Sequence, residues 1–393
     1  MDFRFSPDDE AFRQEVKALI ARELPDSWGS RNDREDLSPE EAEISRAFTK
    51  SVAARGWLTM AWPVEYGGQG AGPLRQLVYN EEMSYQHAPG AGTMGTNLVG
   101  PTLMVHGTDE QKERYLPPIA RLEESWCQGF SEPESGSDLA SLSTSAVLDG
   151  DDYVVNGSKI WTSGAQRADW GVLLVRTDPE APKHKGISYL LVDMKSPGIM
   201  VRPLTNMLGS NAFNQVYYDS VRVPRENVVG EENRGWYVAT TTLDFERSGI
   251  QRVMYAYRTL DEVIAYAKET RRNGGRLIDH PVVRHKLAEL KIEFEVGRLL
   301  CYRVAWMQAA GLIPNYEASI AKLYGSELQQ RLGNAAVNVP GLAGQLSRGS
   351  AHAPLEGGLE RYYLAASSYT VAAGTSEVQR NIIAMRGLGL PRG

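Results

Sequence analysis

Gly171-Val172-Leu173-Leu174-Val175 and Ile187-Ser188-Tyr189-Leu190-Leu191-Val192 are short apolar runs separated by turn-forming residues. Runs of this length, bounded by Gly, Pro and Asp, read as buried strands. Tyr153-Val154-Val155-Asn156-Gly157 precedes them and Val221-Arg222-Val223-Pro224 follows, so a strand-rich segment extends from Trp126 to about Gly230.

Outward from this segment the pattern turns helical on both sides. In the first 120 or so residues Pro39-Glu40-Glu41 opens a helix, and Tyr66-Gly67-Gly68-Gln69-Gly70 is a Gly-rich break. Beyond Gly235, Leu243, Ile250, Val253, Tyr257, Leu260 and Ile264 recur at three-to-four spacing, which predicts one face of a long helix. Further helices are predicted over 283–310, 316–338 and 358–371. A last one begins at Gly374-Thr375-Ser376-Glu377, where Ser376 and Gln379 are spaced as a capping box. The order helices, strands, helices predicts an α+β fold with domains at 1–124, 125–231 and 232–393.

The 393 residues are 42% hydrophobic and 23% charged, ordinary globular material. The formal charge of −7 is spread along the chain, which predicts no nucleic-acid or membrane partner. Asp2, Asp8, Asp9 and Glu10 stand where a secretory signal needs a basic start, and no run reaches the roughly 20 apolar residues of a membrane span. Cys127 and Cys301 are too few for a disulfide framework and lack zinc-site spacing, so a reducing, cytoplasmic setting without a bound metal is expected.

Gly90-Ala91-Gly92-Thr93-Met94-Gly95 matches G-x-G-x-x-G. That pattern signals a dinucleotide fold only between a strand and a helix. Leu77 to His87 reads as helix, so a chance match in a chain with 38 glycines is the better explanation.

Three motifs carry more. Gly129-Phe130-Ser131-Glu132-Pro133-Glu134-Ser135-Gly136-Ser137-Asp138 is followed about thirty residues on by Asn156-Gly157-Ser158-Lys159-Ile160-Trp161-Thr162-Ser163, and Ala373-Gly374-Thr375-Ser376-Glu377-Val378-Gln379-Arg380 lies near the C-terminus. In order and spacing these resemble the T-E-P-x-A-G-S-D, N-G-x-K-x-W-I-T and E-G-T-x-x-I-Q-R segments of the acyl-CoA dehydrogenases. Pro63-Val64-Glu65-Tyr66-Gly67-Gly68, Gly107-Thr108-Asp109-Glu110-Gln111-Lys112 and Val221-Arg222-Val223-Pro224-Arg225-Glu226-Asn227 look like further landmarks of that family.

The resemblance implies an N-terminal helical domain, a central β-barrel-like domain and a C-terminal four-helix bundle. It implies FAD as cofactor, with Gln128, Phe130, Ser131, Gly136, Ser137, Trp161, Thr162 and Ser163 around the flavin. Short hydroxyls can hydrogen-bond a flavin edge without blocking hydride transfer, and an aromatic ring can stack and exclude water. A lone tryptophan is more often core, a preference that the flanking motif reverses here, and a plain turn would use Gly136 and Ser137 equally well. Arg271, Arg272, Asn338, Gly341, Thr375 and Glu377 fall on segments that hold the rest of FAD across a dimer, the last two at a helix start that also reads as simple capping. The R-x-x-F-G segment has become Thr270-Arg271-Arg272-Asn273-Gly274-Gly275, losing its phenylalanine, and the Q-I-x-G-G-x-G stretch has become Asn338-Val339-Pro340-Gly341-Leu342-Ala343-Gly344.

The larger departure is at the base. Many members carry glutamate where this chain has Ala373, and alanine takes no proton. A subset, isovaleryl-CoA and long-chain enzymes among them, instead carries the base in L-D-x-E-R after the β domain. Leu243-Asp244-Phe245-Glu246-Arg247 is similar, as it is to bacterial enzymes acting on steroid side-chain CoA esters. Glu246 is therefore the expected base, with a salt-bridged surface glutamate as the competing reading. Ser137, Asp244, Arg247, Ala373 and Gly374 are expected near the substrate.

The implied reaction has Glu246 taking the pro-R α-proton of an acyl-CoA while the β-hydride passes to flavin N5, giving a trans-2-enoyl-CoA. Loss of bulk at Ala373 suits a branched or bulky acyl group. Electron-transfer flavoprotein is the expected acceptor, and a homotetramer or an α2β2 heterotetramer the expected assembly. The alternatives are a flavin monooxygenase or other non-dehydrogenase on the same fold, and an FAD-supporting subunit of a hetero-oligomer.

Overall fold

The apolar runs at the centre of the chain form β4 (Trp170–Arg176) and β5 (Ile187–Asp193), paired antiparallel from Trp170 against Asp193 to Arg176 against Ile187. Around them stand β1 (Trp126–Gly129), β2 (Ser145–Asp149), β3 (Asp152–Lys159), β6 (Ile199–Leu204) and β7 (Phe213–Pro224). The order is β1-β4-β2-β3-β7-β6, with β5 on β4. β1 runs parallel to β4, whereas β2, β3, β7 and β6 pair antiparallel in succession.

Both faces of β4 and β5 are buried, and this is why they read as continuous apolar runs. Leu173, Val175, Leu190 and Val192 join Tyr153, Val155, Val216, Tyr218 and Val221 in a core enclosed by the curled sheet. Val172, Leu174, Ile187, Tyr189 and Leu191 face the other way, onto a core shared with α4 (Gly100–His106), α5 (Asp109–Ala120) and α6 (Gly235–Phe245).

The computed structural model describes residues 4–30, 37–245 and 249–391, without the side chains of 29, 30 and 243–245. Its contacts divide the chain into two units. Lys50–Gly70 with Gly92–Glu246 make the sheet unit, and Met1–Thr49, Ala71–Ala91 and Arg247–Gly393 make a helical one. The helical unit holds α1 (Pro7–Glu23), α3 (Pro73–Tyr85), α7 (Ile250–Glu269), α8 (Pro281–Ala309), α9 (Tyr316–Asn338), α10 (Gly358–Tyr369) and the short α11 (Ser376–Ile382). Helix α2 (Pro39–Ala54) carries the chain from one unit into the other. Leu260, Leu290, Phe294, Leu328 and Leu359 lie at the centre of the helical core. Arg13 of α1 meets Glu81 and Glu82 of α3 at 2.7 and 2.5 Å, and Arg298 of α8 meets Glu81 at 2.5 Å, so charges buried between helices are paired.

Three sequence expectations are corrected. The long helix after Gly235 is two, α6 and α7, the second capped by Gly249 in the left-handed region at φ +68°. Val221–Pro224 is the end of the twelve-residue β7, not a separate strand. The last helix is capped by Thr375, whose hydroxyl accepts from Val378 N at 3.2 Å, whereas the Ser376 hydroxyl is buried. The Gly90–Gly95 stretch follows α3, and Gly95 begins a single π turn, Gly95–Val99, with no strand before it among the described residues.

Candidate functional site

The motif after β1 is folded around a buried ion pair. Lys159, the last residue of β3, is wholly buried, and its Nζ donates to Glu132 Oε1 at 2.8 Å and to the Phe130 carbonyl at 3.0 Å. Thr144 N donates to the same carboxylate oxygen at 2.8 Å, while Ser143 N and Oγ donate to the other at 2.7 and 2.9 Å. Burial works to raise the Glu132 carboxyl, but Lys159 and these hydrogen bonds hold it down at about 2. Burial pulls the Lys159 ammonium below its ordinary value while Glu132 pushes it back up.

Sequence reasoning quoted both residues inside their motifs but assigned neither a role. The signal was there, because Lys159 continues the inward phase set by Tyr153 and Val155, where a lysine demands a buried partner.

This pair holds the segments that carry the predicted flavin residues. Ser131 lies between Phe130 and Glu132, and its carbonyl accepts from Ile160 N at 2.9 Å. Next comes Trp161 at φ +62°, a region a bulky residue rarely adopts, with its side chain 59% exposed and edge-on to Phe213 at 5.9 Å. Thr162 pins the far side through paired backbone bonds with Asn214 at 3.0 and 3.2 Å. An exposed tryptophan on a strained, doubly anchored turn is not a core residue, so the bland reading of Trp161 fails.

The polar atoms nearby have spare capacity. The Thr162 hydroxyl, Gln128 Nε2 and Asn214 Oδ1 are buried without a hydrogen-bond partner among the described residues, and Ser131 and Ser163 are at least partly accessible. That donor and acceptor set fits the polar edge of a flavin beside an aromatic ring. Phe130 is different: its ring is buried, edge-on to Tyr189, so only its main chain can face a ligand.

Glu132 and Ser135 exchange backbone bonds at 2.9 and 3.0 Å, closing a tight turn that leaves Gly136 and Ser137 exposed beyond it. A methyl group at Gly136 would meet nothing within 4 Å, so the chain itself does not require glycine there. Close approach of a ligand would. Lys183 holds Asp138 at 2.6 Å on the far side of this loop.

The remaining predicted residues belong to the helical unit. Arg271 and Arg272 form an exposed two-residue strand paired with Gly275–Arg276. Arg272 donates to the Pro340 carbonyl at 3.4 Å, and a methyl on Gly341 would lie 2.5 Å from its Nη1. The structure thus brings together the two segments that depart from the family pattern, leaving a guanidinium over a glycine turn. Asn338 is exposed and donates to the Asn334 carbonyl at 2.7 Å.

Ala373 and Gly374 are consecutive left-handed residues, at φ +55° and +83°. Lys322 Nζ donates to the Gly374 carbonyl at 2.7 Å and Gln379 reaches both carbonyls at 3.3–3.4 Å, which holds the turn. Thr375 caps α11 and Glu377 is exposed. Asp244 lies on α6 with its side chain undescribed, and Glu246 and Arg247 lie outside the described residues.

Residues 6–123, 127–221 and 233–388 match the acyl-CoA dehydrogenase N-terminal, middle and C-terminal domains respectively. Acyl-CoA dehydrogenase FadE26 of Mycobacterium tuberculosis (strain ATCC 25618 / H37Rv) is 40% identical, over 100% of this chain and 99% of its own. Among solved structures, the Tcur3481-Tcur3483 steroid ACAD superposes with a TM-score of 0.89 at 36% identity over 100% of both chains. The ChsE4-ChsE5 complex from Mycobacterium tuberculosis gives 0.87 at 38% identity, again over 100% of both.

Proposed function

Because the chain belongs to the acyl-CoA dehydrogenase family and dehydrogenates an acyl-CoA, we propose that it is an FAD enzyme acting on a branched or bulky, steroid-type acyl chain, with Glu246 as its base. Ala373 carries this reading. It sits at the turn where many relatives place a carboxylate, it is exposed, and it has no group that takes a proton.

When bound, FAD supplies the acceptor for the hydride that leaves the β-carbon. Gln128, Ser131, Thr162 and Ser163 would hold its ring by hydrogen bonds while Trp161 shields it from water, and Arg272 offers a bidentate contact to phosphate. Gly136 lets the thioester arm approach the backbone beside Ser137. An α-proton of a thioester is too weak an acid for a carboxylate unless the developing oxyanion is stabilised, and the Ala373 N–H, which has no partner within the described residues, supplies one donor for it. The amide survives loss of the glutamate side chain. Moving the base to Glu246 therefore keeps the donor while clearing space at Ala373.

Straight, branched and steroid-type CoA esters, scored by bleaching of the flavin band, test the substrate class. The bulky esters are expected to bleach fastest, and preference for a short straight chain would overturn the reading. Glu246→Gln is expected to abolish bleaching, and substantial residual reduction would move the base elsewhere. Electron-transfer flavoprotein is the proposed acceptor.

A second reading concerns assembly. The two solved relatives named above carry two chain names each, which supports a partnership between this chain and a different one. Purification of the chain alone, followed by its mass and visible spectrum, separates a self-sufficient homotetramer from half of an α2β2 assembly.

A further inference from the structure

The Glu132–Lys159 pair carries more than folding requires. Glu132 and Lys159 are 6% and 0% exposed. Apolar residues of similar volume often replace such a pair at no cost to stability, so burial alone gives the fold no reason to keep the charges. Charges add direction. Packed apolar groups tolerate small slips, whereas Glu132 accepts from Lys159, Thr144 and Ser143 and Lys159 also holds the Phe130 carbonyl, each at a fixed distance. Three segments meet at this point: 130–132, 143–144 and the end of β3.

Two of the segments lead directly into the candidate flavin face. Ser131 lies inside the first, and its carbonyl is bonded to Ile160, the residue between Lys159 and Trp161. Trp161 is held in a backbone region that tryptophan rarely adopts. A shift at Lys159 would therefore reach the Ser131 turn and the Trp161 ring together.

We propose that Glu132 and Lys159 are positioning residues that lock the Ser131 turn and the Trp161 turn into the one mutual register in which both meet the flavin. The inference rests on FAD being the cofactor of this face. Glu132 and Lys159 touch neither cofactor nor substrate in this role and act through their neighbours.

The test compares wild type, Glu132→Met/Lys159→Met and Glu132→Gln, each purified and stripped of flavin. Melting of the apoprotein reports folding, while titration with FAD and the resolved structure of the visible band report register. The Met pair is expected to melt within a few degrees of wild type, to bind FAD at least about tenfold more weakly, and to blur the visible band. Wild-type affinity and spectrum in the Met pair would overturn the proposal, as would a loss of affinity that merely tracks a fall in melting temperature. Should the Met pair fail to fold, Glu132→Gln decides. This variant keeps the shape and the Thr144 contact but leaves Lys159 without its carboxylate, so its melting is expected to fall; FAD binding weakened beyond what that fall accounts for supports the proposal, and wild-type binding sinks it. A wild-type apoprotein that takes up no FAD overturns the cofactor reading itself, a failure seen before any variant is compared.

Discussion

At the scale of single residues, the candidate site is built from groups held against their preferences. Trp161 and Ala373 both occupy the left-handed region without being glycine, each between hydrogen-bonded neighbours that prevent relaxation. Lys159 is buried only because Glu132 meets it, so Lys159→Ala leaves an unpaired carboxylate and is expected to cost about 3–5 kcal/mol, read from urea unfolding. The same carboxylate fixes a pH dependence. Its folded value of about 2 lies below the ordinary 4.5, so it stabilises the fold above 4.5 and loses that contribution as pH falls towards 2. Melting temperature is expected to fall more steeply over this window in wild type than in Glu132→Gln, and parallel profiles would count against the paired carboxylate. The motifs holding these residues were legible in the sequence. The pairing was not, because 27 positions separate Glu132 from Lys159 and spacing along the chain says nothing about which buried charge meets which.

Among the elements, strands buried on both faces were the most legible, and β7 shows why its neighbours were less so. From Phe213 to Tyr218 the even-numbered residues point inward, yet from Val221 onward the odd-numbered ones do. Asp219 and Ser220 make the switch: the register against β3 shifts there, Ser220 stands at φ +52°, and its N–H donates to Asn156 Oδ1 at 2.8 Å. A bulge that inverts the alternation hides a strand from any period-two reading. Helix α6 depends on a closer fit still. A Cβ on Gly235, its first residue, would lie 2.4–2.5 Å from the main chain of Ser188 and Tyr189 on β5, and backbone cannot swing aside as a side chain does. Gly235→Ala is expected to lift the helix start off the sheet and destabilise by about 1–3 kcal/mol, measured by thermal unfolding. Because α6 runs on towards Asp244, substrate turnover should fall with it. Unchanged melting would show that the contact yields.

On the scale of the whole molecule, α8 presents two apolar faces, only one of which the described residues cover. Leu287, Leu290, Phe294, Cys301 and Val304 point into the helical core. Ile292, Val296, Leu299 and Trp306 point away from it, 39–68% exposed, at successive spacings of four, three and seven residues that keep them on one heptad stripe over roughly 21 Å of helix. Scattered exposed apolar residues need no explanation, but a seam of four at this periodicity does. The tetramer proposed above would supply one, with another subunit covering the stripe. A charge at the middle of such a seam would be buried unpaired in the assembly yet freely solvated in the separated chain. Leu299→Glu is therefore expected to leave the melting of the isolated chain nearly unchanged while shifting the assembly to smaller species, measured by light scattering across a dilution series. Flavin content should fall with the mass, because Arg271, Arg272 and Thr375 were read as serving a cofactor shared across subunits. A variant that keeps full mass and full flavin would mean that the stripe remains exposed and that assembly uses another face.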